Sequence, residues 1–220
     1  MILFDFDGTL ADTAPDLAAA ANKQRTDRGL PPLPYEQLRP MASQGARGLL
    51  RVALDMTPEH PEYPAARIKF LSDYEAAMTV HTTLFDGVPA LLEQITDAGL
   101  RWGIVTNKMT LLAAPLVEYL GLNPQCTVLV CGDTTAHSKP HPEPLLHAAR
   151  TAGVAPEDCI YVGDDLRDIQ AGRAAGMPTV AVSYGYIGDG EPVDEWKADA
   201  TVASAHQIWP ALQSLRANAK

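Results

Sequence analysis

The second half of the chain alternates between short apolar runs and segments with helical spacing, and this alternation constrains the fold more than any other feature. Apolar runs typical of strands lie at Trp102–Val105, Val128–Cys131, Ile160–Val162, Thr179–Val182 and, as a short edge strand, Ala200–Val202. The helical segments between them end at glycines, namely Gly99, Gly121, Gly153 and Gly176. Such alternation predicts an α/β fold with a doubly wound, Rossmann-like parallel sheet and helices on both faces.

The segment before this alternating part has a different sequence pattern. From about Thr13 to Val80 helical patterns occur without a convincing strand, over Asp16–Arg28, Gln44–Asp55 and Pro64–Met78. We therefore predict a core formed by residues 1–12 and 81–220. Residues 13–80, which we name the helical insert, are predicted to form a separate helical unit after the first strand.

Two aspartates one residue apart, Asp5 and Asp7, follow the apolar run Ile2-Leu3-Phe4, and Gly8 marks the turn out of that predicted strand. Carboxylates held this close repel each other and need a cation or a shared proton. Hard oxygen donors select hard cations such as Mg²⁺. The pair alone is equally compatible with a simple turn cap, so the remaining strand ends decide between the two interpretations.

Polar residues also follow the other predicted strands. The motifs at these points are Thr106-Asn107-Lys108, Lys139-Pro140, and Gly163-Asp164-Asp165 with Asp168 three residues further. Because the carboxyl ends of parallel strands meet in one crevice, we expect these side chains to share a ligand site. One carboxylate as nucleophile, another to move protons, and a hydroxyl and an ammonium around a phosphate would together support phosphoryl transfer.

Together and in this order, four motifs resemble those of the haloacid dehalogenase superfamily of phosphatases, in its phosphoglycolate phosphatase-like branch. They are Asp5-Phe6-Asp7-Gly8-Thr9, Val105-Thr106-Asn107-Lys108, Ser138-Lys139-Pro140 and Gly163-Asp164-Asp165-Leu166-Arg167-Asp168. The resemblance covers nearly the whole chain. It implies a Mg²⁺-dependent phosphatase that hydrolyses a small phosphomonoester through an aspartyl-phosphate intermediate.

The resemblance implies a role for each matched residue. Asp5 would be the nucleophile and Asp7 the general acid and base. Thr106, with the backbone amide of Asn107, would bind the transferring phosphoryl group, and Lys139 would brace the phosphate and the nucleophile. The implied Mg²⁺ site consists of Asp5, the Asp7 carbonyl oxygen and Asp164, supported from behind by either Asp165 or Asp168.

By the same resemblance the helical insert is a cap that closes over the site and excludes water during transfer. Gly45 and Arg47 lie in the segment Ser43–Gly48, where such caps carry a loop that selects the substrate. We predict that Arg47 meets the phosphate or carboxylate of the substrate, because a guanidinium suits both groups. The alternative is that Arg47 is a solvated helix residue.

Two substrates remain open. The branch is named for 2-phosphoglycolate, whereas further segments, among them Asp27–Pro32 and Tyr184–Ile187, resemble the N-acetylmuramic acid 6-phosphate phosphatases of bacterial cell-wall recycling. Phosphomutases and other small-metabolite hydrolases of the superfamily share the four motifs and stay as alternatives. A dehalogenase is disfavoured by the acid at Asp7, and a phospho-accepting signalling domain by both Asp7 and the helical insert.

The bulk properties limit the partners. A formal net charge of −10 argues against nucleic acid, and no stretch is long and apolar enough to span a membrane. The first residues lack the basic and apolar pattern of a signal peptide. We therefore expect a cytoplasmic monomer or homodimer that acts on a small anionic phosphomonoester, with neither a nucleic-acid nor a membrane partner.

Overall fold

A six-stranded parallel sheet forms the centre of the molecule in the computed structural model, which describes residues 1–218. In chain order the strands are β1 (Ile2–Phe4), β2 (Ala11–Asp12), β3 (Thr83–Leu84), β4 (Trp102–Val105), β5 (Cys126–Val130), β6 (Ile160–Gly163), β7 (Thr179–Val182) and β8 (Ala200–Val202). The order across the sheet is β5-β4-β1-β6-β7-β8, with every neighbouring pair parallel. The strand order therefore reverses around β1, the point at which open α/β sheets bind ligands.

Nine helices are described: α1 (Ala14–Thr26), α2 (Tyr35–Leu38), α3 (Gly45–Leu54), α4 (Tyr63–Glu75), α5 (Val88–Asp97), α6 (Thr110–Tyr119), α7 (Glu143–Ala152), α8 (Leu166–Ala174) and α9 (Ile208–Asn218). The predicted fold class is confirmed, although β5 begins two residues before the predicted Val128. Within residues 1–218, no helix combines the length and the apolar character needed to cross a membrane.

The two faces of the sheet pack into different apolar clusters. Ile2 and Phe4 of β1 belong to one cluster and Leu3 to the other, because successive strand residues point to opposite faces. The cluster around Leu3 includes apolar residues of α7 and α8. The cluster around Phe4 includes residues of α5 and α9 and extends into the helical insert through Leu17 and Phe70. The sheet is therefore covered on both faces.

The helical insert leaves and rejoins the sheet region through a short antiparallel hairpin. β2 pairs with β3, with Ala11 opposite Leu84 and Asp12 opposite Thr83. Sequence patterns do not predict this hairpin, because two-residue strands carry no detectable periodicity. Buried Asp16 ties the two connections together: its carboxylate accepts hydrogen bonds from the backbone N–H groups of His81 and Thr82 at 2.9–3.0 Å. The division into two domains stays a prediction.

Candidate active site

The predicted polar residues converge at the carboxyl edge of the sheet. Asp5 and Asp7 follow β1, Thr106 follows β4, and Asp164 follows β6, while Lys139 arrives from the long loop after β5. All of these residues except Asp164 line one cavity of about 320 Å³ between the sheet edge and the helical insert. The structure thus brings together residues as far apart in the chain as Asp5 and Asp164, which are separated by 159 positions.

Lys139 is a buried ammonium at the centre of this cluster, with 4% of the residue exposed. Its Nζ lies 2.8 Å from Asp5 Oδ1 and 2.7 Å from Asp168 Oδ1. It also donates to the Val105 carbonyl at 2.9 Å and to the Tyr161 hydroxyl at 2.8 Å. Burial by itself would lower the pKa of Lys139, but the charges of Asp168 and Asp5 raise it above its ordinary value. Lys139 is therefore a permanent cation beside Asp5.

Burial destabilises the negative charge of Asp5 even though the Lys139 ammonium lies beside it. Only 13% of its side chain is exposed. Burial raises the pKa of Asp5 to about 7, although the Lys139 charge opposes the rise. A further cation would restore the ionised form, which is the form that can act as a nucleophile.

Asp164 is fully buried beside the turn at Gly8. Its carboxylate accepts from Thr9 Oγ1 and from the backbone N–H of Tyr186, both at 2.8 Å. Burial and the neighbouring charges of Asp5 and Asp168 hold the pKa of Asp164 well above its usual range. Gly8 has a φ of +84°, and a Cβ at this position would collide with the Asp164 carboxylate. The glycine is needed for both the turn and the close approach.

Asp5, Asp164 and Asp168 can place one carboxylate oxygen each within 4.8 Å of one another. Within the described residues Lys139 pairs with Asp5 and Asp168, and Asp164 has no cationic partner, so the donor set fits a hard divalent cation such as Mg²⁺. Asp168 is the least available of the three, because Lys139, the Tyr161 hydroxyl and the Asp165 backbone N–H already occupy its oxygens. Asp164 receives only neutral donors, which leaves Asp5 and Asp164 as the residues best placed to hold the ion.

The two acids that the motif leaves as alternatives have different surroundings. Asp165 caps the start of α8 and forms a two-point ion pair with Arg167, at 2.8 and 2.7 Å. Although burial opposes it, the Arg167 guanidinium lowers the pKa of Asp165. Asp165 lies outside the cluster of three acids found within residues 1–218, whereas Asp168 belongs to it and holds Lys139.

Asp7 points away from the three-acid cluster. Its Oδ1 accepts from Lys108 Nζ at 2.7 Å and from the hydroxyl of Thr13, the residue that precedes α1. Lys108 is buried, which would lower its pKa, but the Asp7 charge and the nearby Tyr74 raise that pKa above its ordinary value. The carboxylate of Asp7 therefore lines the cavity with a fixed cation beside it.

Thr106 and Asn107 organise the turn after β4. The Thr106 hydroxyl accepts from the Lys108 backbone N–H at 3.1 Å, inside the cavity lining. The side-chain amide of Asn107 binds the backbone of Lys139 at both ends, with Nδ2 to the carbonyl and Oδ1 from the N–H, each at 3.0 Å. The side chain of Asn107 therefore positions the lysine loop, in addition to the predicted role of its backbone amide.

The helical insert supplies the opposite wall of the cavity. Gly45 and Arg47 both line it, in agreement with their predicted place, and Arg47 is exposed there. Two residues of α4 that were not predicted, Arg67 and Tyr74, line the same wall. Among the described residues, neither Arg47 nor Arg67 is part of an ion pair or a side-chain hydrogen bond. Both guanidinium groups are thus available to an anionic ligand.

Comparison with known proteins agrees with this geometry. Residues 2–182 match the family of haloacid dehalogenase-like hydrolases. The chain belongs to this family. The hydrolase is 48% identical over 212 residues to a phosphoglycolate phosphatase from Xanthomonas campestris pv. campestris, with 94% of each chain covered. It is 44% identical over 207 residues to an N-acetylmuramic acid 6-phosphate phosphatase from Pseudomonas aeruginosa, covering 94% of this chain and 92% of the relative.

The hydrolase also resembles a solved structure along its whole length. A crystal structure of a predicted phosphoglycolate phosphatase from Haemophilus somnus superposes with a TM-score of 0.85 at 27% identity, and the match covers 96% of this chain and 97% of that one. The family predicted from the four motifs is therefore confirmed.

Two arginines join the helical insert of the hydrolase to its core. Arg39 donates to the backbone carbonyls of Tyr184 and Gly185 at 2.9 and 3.0 Å. Arg167, paired with Asp165, donates to the Ser43 carbonyl at 2.8 Å. These contacts hold the segment that precedes α3 against the loop ends of the sheet. Of the two arginines, Arg167 also lines the cavity.

Two further tyrosines of the hydrolase form contacts that the sequence did not predict. Tyr161 lies in the apolar run of β6 and gives no local signal, yet its hydroxyl contacts Lys139 and Asp168. Tyr186 lies in the segment Tyr184–Ile187, and its hydroxyl accepts from the backbone N–H groups of Thr13 and Ala14, at the start of α1, at 2.7 and 3.0 Å. Neither role can be deduced from residue spacing, because both bonds join distant parts of the chain.

Proposed function

We propose that this hydrolase is a Mg²⁺-dependent phosphatase that cleaves a small anionic phosphomonoester by transferring the phosphoryl group to Asp5. The observation that supports this most strongly is the pairing of Asp5 with the buried Lys139 at the cavity wall, close to Asp164, which has no cationic partner among residues 1–218. A nucleophile, a fixed ammonium and a group of acids that fits a divalent cation are the elements that phosphoryl transfer needs.

The reaction follows from the positions of these side chains. An Asp5 carboxylate oxygen attacks phosphorus, and the bond from phosphorus to the leaving oxygen breaks. Asp7, protonated when the substrate binds, gives that oxygen a proton. A water molecule then attacks phosphorus while Asp7 takes a proton from it, and the bond from phosphorus to the Asp5 oxygen breaks to release phosphate. Lys139 offsets the charge on Asp5 and the phosphoryl oxygens, with Thr106 and the Asn107 amide as further donors. Mg²⁺ held by Asp5, Asp164 and the Asp7 carbonyl would reduce the repulsion between nucleophile and phosphate.

The helical insert, residues 13–80, is proposed to act as the cap of this enzyme. The hairpin of β2 and β3, the Asp16 carboxylate and the Tyr186 hydroxyl connect the base of the insert to the core. On its far side Arg39 and Arg167 are among the residues that bridge the insert and the core. Loss of the far-side contacts would let the insert move relative to the sheet. Closure would exclude water while the phosphoryl group is transferred.

Two substrates fit the charge of the cavity, because phosphoglycolate and N-acetylmuramic acid 6-phosphate both combine a phosphate with a carboxylate. We favour the sugar phosphate. A cavity of about 320 Å³ is far larger than a two-carbon acid requires, and the insert contributes Arg47 to its lining. Steady-state rates on the two compounds, measured side by side, will separate them.

The mechanism is tested with Asp5→Asn and, as a matched control, Asp86→Asn, which changes a fully exposed aspartate of the core. With Mg²⁺ and an aryl phosphate, the control retains turnover and Asp5→Asn loses it while its melting curve stays cooperative. Acid quenching of the wild type during turnover should leave one phosphoryl group on the peptide that contains Asp5. Turnover by Asp5→Asn at the control rate would refute the mechanism.

A further inference from the structure

Tyr74 carries a buried hydroxyl that lies near the Lys108 ammonium. The residue is 1% exposed, and among the described residues its hydroxyl has no hydrogen-bond partner. Buried tyrosine hydroxyls normally have a partner, because an unpaired one keeps its desolvation cost. Tyr74 lines the same cavity as Asp5 and Asp7. A ligand in that cavity is the available partner.

The position of Tyr74 identifies which part of a ligand it would meet. Lys108 Nζ lies over the Tyr74 ring, 4.9 Å from its centroid, and 2.7 Å from Asp7 Oδ1. Under the proposed function Asp7 protonates the leaving oxygen, so Tyr74 lies on the leaving-group side of the scissile bond. Burial raises the pKa of Tyr74, which keeps its hydroxyl protonated and able to donate.

Arg67 lies on the same face of α4. It precedes Tyr74 by seven residues, two helical turns, which separates the two positions by about 10 Å along the helix axis. Both residues line the cavity, and the apolar side chains of Phe70 and Leu71 line it between them. Arg67 is exposed and, within the described part of the chain, has no ion-pair partner.

We propose that this face of α4 selects the leaving group by its length and charge. Tyr74 binds an oxygen near the ester, and Arg67 binds an anionic group at the far end of the leaving group. This inference rests on the proposed function. The carboxylate of phosphoglycolate is one methylene from its ester oxygen, which is short compared with the spacing of about 10 Å between positions 74 and 67 of the helix. A phosphorylated sugar acid is longer, because its carboxylate stands across the ring from the phosphate. The substrate class is therefore a long, ring-containing phosphorylated acid.

The test compares N-acetylmuramic acid 6-phosphate with N-acetylglucosamine 6-phosphate, which has the same ring and phosphate but no lactyl carboxylate. For the wild type we expect a higher kcat/KM on the acid than on either the neutral sugar phosphate or phosphoglycolate. Arg67→Gln should reduce the ratio of the acid to the neutral sugar by about tenfold or more, mainly through KM. Lys69→Gln removes a cation from the same helix outside the cavity and should leave that ratio unchanged.

Tyr74→Phe keeps the ring and removes only the hydroxyl. We expect kcat/KM on both sugar phosphates to fall by about five- to tenfold, the value of one hydrogen bond, with an unchanged melting temperature. Equal losses on an aryl phosphate and on the sugars in Arg67→Gln would overturn the proposal. So would a wild type that prefers phosphoglycolate.

Binding gives a measurement that does not depend on turnover. In the Asp5→Asn background, calorimetry should show tighter binding of the acid than of the neutral sugar phosphate, and Arg67→Gln should abolish the difference. Selective binding without turnover by the wild type would refute the proposed mechanism and support the role of α4. Turnover without selective binding would refute the role of α4 and leave the mechanism standing.

Discussion

The side-chain amide of Asn107 holds the backbone of Lys139 at both polar groups, donating to its carbonyl and accepting from its N–H, each at 3.0 Å. The two residues are 32 positions apart and come from different strand ends. Through this pair the turn after β4 determines where the Lys139 ammonium meets Asp5. The Asn107 side chain thus positions the backbone of Lys139 in the protein without bound substrate.

Asn107→Ala is expected to loosen this loop. Loss of two hydrogen bonds to buried backbone groups should lower the free energy of unfolding by about 1–3 kcal/mol. It should also reduce kcat more than it raises KM, because Lys139 loses its position relative to Asp5. Urea denaturation and steady-state kinetics measure the two effects. Asn22→Ala, which breaks an equivalent two-point amide contact to Leu33 in the helical insert, should cost stability with little change in kcat.

Gly8→Ala and Gly29→Ala form a matched pair. Both glycines have a left-handed backbone, with φ of +84° and +73°, so each substitution costs about 1–2 kcal/mol of backbone strain. Only Gly8 faces the Asp164 carboxylate, whereas a Cβ at Gly29 meets nothing within 4 Å. We expect Gly8→Ala alone to lose Mg²⁺-dependent thermal stabilisation. An equal response to Mg²⁺ in both variants would contradict the assignment of Asp164 to the cation site.

Mg²⁺ itself should stabilise the protein. A cation that binds the folded form raises the melting temperature with its concentration. Asp164→Asn removes one of three crowded acids, so we expect it to melt no lower than the wild type without metal and to gain nothing from Mg²⁺. Differential scanning fluorimetry over a Mg²⁺ titration checks both statements. Asp165→Asn should keep most of the Mg²⁺ response, because Asp165 pairs with Arg167.

The stability of the metal-free protein should fall as pH rises from about 4 to 7. The folded pKa of Asp5 is about 7, above the ordinary 3.8, so in this window the folded state holds a proton that the unfolded chain releases. Asp164, whose pKa is also raised, acts in the same direction. The lowered pKa of Asp27 affects stability only below this pH window. Urea denaturation in EDTA at several pH values measures the slope, and a flat or rising profile would contradict it.

Asp16→Ala should destabilise the base of the helical insert. The carboxylate receives the N–H groups of His81 and Thr82 and the Thr82 hydroxyl, and its removal leaves buried donors without partners. We expect a loss of about 2–4 kcal/mol in the free energy of unfolding, with faster proteolysis in the insert. Asp97→Ala, at the exposed end of α5, is the control and should change stability by less than about 0.5 kcal/mol.

The sequence predicted the parallel sheet and the composition of its functional edge for a physical reason. Strands buried on both faces are continuously apolar. The end of each strand is therefore visible in the sequence where the apolar run is followed by polar residues, which include Asp5, Thr106 and Asp164. In parallel strands those ends lie at one edge, and the motifs could therefore be placed together without any contact being known. The hairpin of β2 and β3 was missed because its strands are too short for a pattern.

Only the tertiary structure decided which partner each charged group has. It separated Asp168, bound to Lys139, from Asp165, bound to Arg167, although the two lie three residues apart in one motif. The tertiary structure also placed the Tyr161 hydroxyl against Lys139 and the Tyr74 ring of α4 beside Lys108. Lys108 pairs with Asp7, from which it is separated by 101 positions. Local spacing determines which faces residues share within an element. Contacts between elements depend on how the helical insert packs on the sheet, and no periodicity within either segment encodes that packing.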